Sequence, residues 1–379
     1  MAKILTGVSS PYRFNTPRGS TFDDIDRVPF ETGENIWAPL RAVAWPMVRP
    51  GGGHRLVHTF NTVPLSRKPF VVGYEGELPR ADEGWGRGTV GRLTHAMLMS
   101  PQCRGIFPVS RFSKRLAFWF ATRNGYSRLA EKNGEVVYPS VDPGATAARA
   151  LDPDDIVLTF VGRQWARQGG AAVARAARIF RASGRRVTIH VVSQMVYGET
   201  VHTDTLRDFY RDYLEDLAGD NVRHYSWLPP DDLQALLAAS TFSLLPMLDG
   251  SFAYGALESM ALGVPVIASD ICAMPEIIVH QKNGLLLDLP VDAIGRWRHL
   301  PSGREHRLSG AYQARLAATF DSLAQQIVAA VAEMSDTPDR YATMSAECLA
   351  TVRDKFGSSK IAQQWHGIYQ QALHPSKTT

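Results

Sequence analysis

Cysteine is scarce in this chain and poorly placed for chemistry. The three residues, Cys103, Cys272 and Cys348, are odd in number and widely spaced. None sits in a CxxC pair, so neither a disulfide framework nor a zinc site is supported. Long apolar runs are missing too, since none approaches the roughly eighteen residues of a membrane span. The start of the chain places one lysine before a short apolar strand and has no hydrophobic region of signal-peptide length. A cytoplasmic location is the expectation. Other signatures are absent as well. The glycines at 51–53 follow no convincing strand and are not followed by the Lys-Ser/Thr of a P-loop. No GxGxxG strand–turn–helix and no pyridoxal lysine pattern is visible. No helix-turn-helix, zinc-finger or RRM pattern marks a nucleic-acid partner. Internal repeats and low-complexity tracts are lacking.

What is present is the composition of a globular protein, with 45% apolar and 21% charged residues and frequent Gly and Pro. At 379 residues, one core is too small and two domains are expected. The net charge of +4 hides an asymmetry: residues 1–150 hold 20 Lys and Arg against 12 Asp and Glu, the remainder 21 against 25. A basic first half suits an anionic lipid surface or an anionic acceptor. Its sixteen arginines are scattered, which also fits ordinary solubilising charge.

Strand-like and helix-like segments alternate, which argues an α/β sheet. In the first half, strands are expected at 3–8, 55–60, 69–74, 105–109 and 135–138, and helices at 92–100 and 114–124. A polar stretch reaches to about residue 35, an apolar segment spans 37–48 and a Gly/Arg-rich loop covers 84–91. The second half is more regular, with strands at 156–161, 187–193, 222–226 and 241–245. Helices are expected at 170–182, 205–218, 230–239, 312–334 and 339–355, with a closing helical segment at 361–373 and a polar insertion at 289–311. Repeating βα units of this kind make a doubly wound parallel sheet that binds ligands at its strand C-termini. The stretch PSVDPGATAARALDPD at 139–154 reads as a linker.

The segment 243–288 is the most informative. It reads strand, small-residue loop, short helix, strand, proline-opened turn, strand. Gly250, Ser251, Ala253 and Gly255 form the loop, and Glu258 stands one turn into the helix. A helix N-terminus offers unpaired N–H groups and the positive end of a dipole, so such a loop suits a phosphate. A carboxylate one turn in accepts hydrogen bonds from sugar or ribose hydroxyls. Phosphate plus polyol is the chemistry of a nucleotide-sugar; a surface glutamate beside small packing residues is the plainer alternative. A second loop, Met274-Pro275-Glu276, is placed at the same sheet edge.

Residues 156–288 resemble the C-terminal domain of the GT-B-fold retaining glycosyltransferases of family 4, the group 1 glycosyl transferases. The resemblance rests on FVGRQWARQGG (160–170), VRHYSWLPPDDLQALLAASTFSLLP (222–246), GSFAYGALESMALGVPVIASD (250–270) and MPEII (274–278). VSRFSKR (109–115), VYPSVDP (137–143) and VRDKFGSSKIAQQWHGIY (352–369) extend it. Coverage is good from about residue 105 and poor before it. The resemblance implies two Rossmann-like doubly wound domains facing a central cleft. These are an acceptor-side domain at 1–147, a donor domain at 148–352 and a helix at 353–379 packing back on the first.

It also implies transfer of a sugar from a UDP- or GDP-sugar to a saccharide or lipid-linked acceptor with retention of configuration. No metal and no cofactor is implied, nor a nucleic-acid partner; peripheral contact with an anionic membrane at the inner face of the cell membrane joins the partner expectations. Arg163 and Glu258 take the catalytic positions: Arg163 pairs with the diphosphate, and Glu258 matches the second Glu of the E-x7-E segment, which binds the ribose. Gly162, Gln168, Gly250, Ser251, Phe252, Ala253 and Tyr254 fall at the donor site, and Trp227 and Leu228 at the loop that contacts the base. His58, Glu75 and Glu77 stand where acceptor-side groups lie. The two glutamates share a face only if their strand continues past Tyr74.

Two positions depart from the family pattern. Gly250 stands where the first Glu of the pair belongs, with Asp249 beside it as a substitute. Gln168 replaces the phosphate-binding lysine, with Arg167 next door. A non-catalytic relative that binds the nucleotide-sugar, or serves as a partner subunit, is therefore the alternative. Asp24-Ile-Asp26 mimics a metal-binding DxD but reads as a solvated turn in a polar loop. Arg175, Arg178 and Arg181 read as a solvated helix face.

Overall fold

The computed structural model describes residues 3–6, 14–17, 25–27, 54–64, 66–78, 89–201 and 203–374. The expected apolar segment at 37–48, the glycines at 51–53 and residues 84–88 lie outside them. The chain divides into two compact units, Met1–Asp142 with Asp354–Thr379, and Pro143–Arg353.

The first unit is built on five described strands: β1 (Lys3–Thr6), β2 (Ile25–Arg27), β3 (His54–Phe60), β4 (Phe70–Tyr74) and β5 (Cys103–Pro108). They pair in the order β2-β1-β3-β4-β5, every neighbour parallel. Alternation of side chains divides the sheet into two apolar faces. Val57, Val72 and Ile106 pack with Leu98 of α1 (Thr89–Met99), Ala117 and Ala121 of α2 (Arg111–Arg123), and Leu129. Ile4, Leu56 and Val71 face the other way, onto Ile361, Trp365, Tyr369 and Ala372 of the closing helix Ser358–Leu373. Those four residues recur at helical spacing, so one stripe covers that face of the sheet.

Two expectations fail here. The polar stretch before residue 35 contains a strand, β2, paired with β1 at Ile4↔Ile25. Residues 135–138 are not a strand. Val137 donates a single main-chain bond to Pro108 and buries its side chain in the core, but Pro139 has no N–H with which to continue a ladder.

The second unit carries six strands: β6 (Ile156–Val161), β7 (Val187–Val192), β8 (Val222–Tyr225), β9 (Phe242–Leu245), β10 (Val266–Ser269) and β11 (Gly284–Leu287). All are parallel, in the order β11-β10-β9-β6-β7-β8. Their near-continuous apolar sequences follow from burial on both sheet faces. Helix α3 (Gly170–Ser183) buries five alanines, Val173 and Phe180, and short side chains let its axis lie close to the sheet. The remaining helices are α4 (Arg211–Leu217), α5 (Pro230–Ala239), α6 (Tyr254–Ala261), α7 (Met274–Ile277), α8 (Arg304–Leu308), α9 (Gly310–Ser335) and α10 (Pro338–Thr351). The closing helix is α11, and a π-turn spans Val352–Phe356.

Of the arginine stripe on α3, Arg178 is exposed as expected, but Arg175 and Arg181 are partly buried. Arg175 pairs with Asp216 at 2.8 Å and Asp321 at 2.9 Å and covers the Tyr213 ring at 4.7 Å. Arg178 approaches Asp216 at 3.7 Å, and Arg181 donates to Asn221 at 2.7 Å. The stripe fastens α3 to α4 and α9. Among the described residues no helix is long and apolar enough to cross a membrane.

Candidate functional site

Counted from β6, the second sheet runs 3-2-1-4-5-6, so the direction of winding reverses between β6 and β9. Loops leaving the C-terminal ends of these two strands diverge at that point, and open α/β sheets bind ligands there. One loop is 162–169, the other 246–253, and both contain residues picked from the sequence.

The first loop is closed by its own hydrogen bonds. Gly162 N–H donates to Val192 at 3.0 Å, and a Cβ at Gly162 would stand 2.7 Å from Gln168 Oε1. Gln168 therefore folds back over the glycine, where its Oε1 accepts from Gln164 N–H at 2.9 Å. Trp165 is buried beneath the loop and meets Tyr197 and Tyr210 edge-on at 5.7 Å. Gly169 has φ +85, and a Cβ there would lie 1.8 Å from the Pro246 carbonyl oxygen. The two loops touch main chain to main chain, which glycine alone permits. Arg163 projects from the same loop, exposed, and its guanidinium has no ion pair among the described residues.

The second loop leads into α6. Ala253 sits at the N-cap position and supplies no side-chain acceptor to the first turn of the helix, and the Ala256 N–H turns back to the Ala253 carbonyl at 3.1 Å. Phe252 and Ala253 bury their side chains. Phe252 and Tyr254 meet at 5.3 Å, and Ser251 is half-buried. Glu258 is the exposed residue of α6 between buried Ala256, Leu257, Ser259 and Met260. Gly250 lies against Met247, whose Sδ would be 3.1 Å from an added Cβ. Behind it, burial and the Asp249 carboxylate push the Cys272 thiol well above its usual range, and the Gly250 N–H donates to its sulfur.

The two residues that stand beside the departures are paired with each other. Arg167 reaches Asp249 Oδ2 through Nη2 at 2.8 Å and Nε at 3.0 Å, and its Nη1 donates to Gln164 at 2.9 Å. Trp227 is 65% exposed in the turn between β8 and α5, beside half-buried Leu228. That turn leaves the same strand-end edge, two strands from β6.

The acceptor-side candidates belong to the first unit. His58 is fully buried in β3, with Nδ1 2.7 Å from the Tyr369 hydroxyl and its ring 4.2 Å from that of Trp365. It lies in the packing of β3 on α11. Strand β4 ends at Tyr74, so Glu75 and Glu77 lie in a loop and do not share a strand face. Glu75 exchanges two bonds with Asn61, accepting from its Nδ2 at 3.1 Å and donating to its Oδ1 at 3.0 Å, and its carbonyl accepts from Ser113 at 2.9 Å. Asn61 and Ser113 were not foreseen; Asn61 has φ 57 at the end of β3, a position that asparagine tolerates. Among the described residues no three His, Cys, Asp or Glu side chains are grouped to hold a metal ion.

Residues 155–295 match the family model described as Glycosyl transferases group 1. Over this segment the chain is similar to the group 1 glycosyl transferases. D-inositol 3-phosphate glycosyltransferase of Acidothermus cellulolyticus is 27% identical over 62% of this chain and 51% of its own. The protein of the same name from Segniliparus rotundus is 31% identical over 41% of this chain and 35% of its own. The chain thus spans about half or less of the length of these curated relatives. Two solved structures share its architecture along nearly its whole length. Sucrose-phosphate synthase from Thermosynechococcus elongatus superposes with a TM-score of 0.62 at 16% identity, covering 98% of this chain and 89% of its own. Anabaena HepE in complex with UDP and glucose gives 0.61 at 16%, covering 98% and 100%. At such identities the likeness is one of fold, and the fold is GT-B.

Proposed function

We propose that the chain is a glycosyltransferase that moves a sugar from a nucleotide-sugar to a saccharide or lipid-linked acceptor with retention of configuration. The observation that carries the reading is the strand-end edge of the second unit at the β6/β9 reversal. There two loops meet: one carries the exposed Arg163, whose guanidinium has no ion pair among the described residues, and the other leads into α6, which has no side-chain cap and exposes Glu258. Arg163 and the N–H groups at the start of α6 would hold the donor diphosphate and stabilise the negative charge that develops on it as the sugar leaves. Glu258 would accept hydrogen bonds from the ribose, and the exposed Trp227 would lie against the base. UDP is the first base to try, since the similarly folded Anabaena HepE was crystallised with UDP and glucose. Asn61, Glu75 and Ser113 are the acceptor-side candidates at a strand end of the first unit. In this reading charge stabilisation comes from side chains and N–H groups, so turnover should survive chelation by EDTA.

Peripheral contact with an anionic membrane belongs to the same proposal. Helices α1 and α2 contain no Asp or Glu, and they expose Leu93 at 49% and Phe118 at 54% beside Arg92, Lys114, Arg115 and Arg123. Such a surface favours anionic headgroups. Sedimentation with phosphatidylglycerol vesicles, but not with phosphatidylcholine vesicles, is expected, and it should weaken with salt.

A second reading, a relative that binds nucleotide-sugar without turning it over, is favoured by the Arg167–Asp249 pair, in which both neighbours of the departing positions are already engaged. A panel of UDP-, GDP- and ADP-sugars decides: nucleotide release with an acceptor supports the transferase, binding without release supports the second reading.

A further inference from the structure

The ion pair between Arg167 and Asp249 joins the 162–169 loop to the 246–253 loop. Its guanidinium is 29% exposed and its carboxylate 13%, so both are partly withdrawn from water, where attraction between charges is stronger than on an open surface. Beside it, Leu248 N–H donates to the Arg167 carbonyl at 3.1 Å, and Gly169 abuts Pro246. Gln164 holds the far side of the guanidinium at 2.9 Å. Three of the donor directions of Arg167 are thus spent within the loops, and Asp249 has its Oδ2 committed to the same partner.

We propose that Arg167 and Asp249 are a positioning pair for the donor: they lock the loop before α6 against the loop that carries Arg163, and neither offers its charge to the ligand. The proposal rests on the nucleotide-sugar reading. Its consequence is a site in which Arg163 is the one guanidinium of its loop facing the diphosphate, the rest of the binding coming from N–H groups whose placement the pair controls. A substitution in the pair then acts by misplacement, and a shift well short of 1 Å is expected to raise donor KM by about tenfold.

The test is a double-mutant cycle on the full chain with Arg167→Ala, Asp249→Ala and the double variant, together with Asp249→Asn as an isosteric change and Arg167→Lys as a conservative one. UDP affinity is read by calorimetry, and KM and kcat by nucleotide release. A positioning pair predicts about a tenfold loss in each single variant, no further loss in the double, a rise in KM with little change in kcat, and partial recovery in Arg167→Lys. Tighter UDP binding in Asp249→Asn would mean that a phosphate-binding Arg167 had been set free, and it overturns the proposal. Additive losses in the double variant overturn it as well. Wild-type protein that is folded yet binds no nucleoside diphosphate overturns the donor reading itself, whereas normal wild-type binding with unaffected single variants overturns the positioning pair alone.

Discussion

Alanine at Gly169 would drive a methyl carbon into main chain. Two costs can be separated. The first is backbone strain, since φ is +85 and an L-residue in the left-handed region loses about 1–2 kcal/mol. The second is the clash: the new Cβ would stand 1.8 Å from the Pro246 oxygen and 2.5 Å from its carbonyl carbon. A main-chain carbonyl just beyond β9 cannot swing aside like a flexible side chain, so the loops must part by more than about 1 Å to restore a normal contact. Parting them weakens the Leu248–Arg167 main-chain bond and the Arg167–Asp249 contacts, each worth about 1 kcal/mol. The total is about 3–4 kcal/mol, against about 1–2 kcal/mol for strain alone.

Gly184 supplies the control at the other end of the same helix, with φ +69 and nothing within 4 Å of an added Cβ. For a unit of this size each kcal/mol moves Tm by roughly 2–4 °C. Calorimetry of both variants should therefore show Gly169→Ala melting well below Gly184→Ala, by about 4 °C or more. Equal shifts in the two variants would refute the claim that the loops meet backbone to backbone.

Other predictions concern the packing around the site. Tyr369→Phe removes the 2.7 Å partner of buried His58 and should cost about 1–3 kcal/mol of stability, while leaving UDP affinity within about twofold; calorimetry and titration read the two effects separately. Arg175→Ala removes the 2.8 Å partner of Asp216, 8% exposed, leaving the more distant Arg178 and Arg181, and should cost about 3 kcal/mol, read as a lowered Tm. Gly250→Ala meets only the Met247 side chain at 3.1 Å, outside the left-handed region, and should shift stability by less than about 1 kcal/mol.

Much of the second unit was legible because its physics is local. Strands such as IVLTFV at 156–161 and VIAS at 266–269 are apolar on both faces, as a parallel sheet requires, and the Ala-rich α3 needs no distant partner to be recognised. Residues 135–138 show the limit: their side chains have a strand's burial, but pairing depends on donors that Pro139 interrupts. The arginines of α3 look solvated from spacing alone, because Asp216 and Asp321 arrive from α4 and α9. At the site, Arg167 and Asp249 were each visible as a neighbour of a departure, but their pairing was not. The signal was available in the strand order, since placing β9 beside β6 brings the two loops together. In the first unit the short edge strand β2 was hidden in a polar stretch, and the burial of His58 depended on a helix some 300 residues later in the chain.

The most direct test of the donor site is calorimetric titration of the full chain with UDP and GDP, repeated on Arg163→Ala and Glu258→Ala. Charge-assisted hydrogen bonds contribute about 1.5–3 kcal/mol each, and about 1.4 kcal/mol is a factor of ten. One of the two nucleotides should bind the wild type, with affinity falling about tenfold to a hundredfold in Arg163→Ala and about tenfold in Glu258→Ala. Folded wild-type protein that binds neither nucleotide, or variants that bind as the wild type does, would contradict a donor site at the β6/β9 reversal.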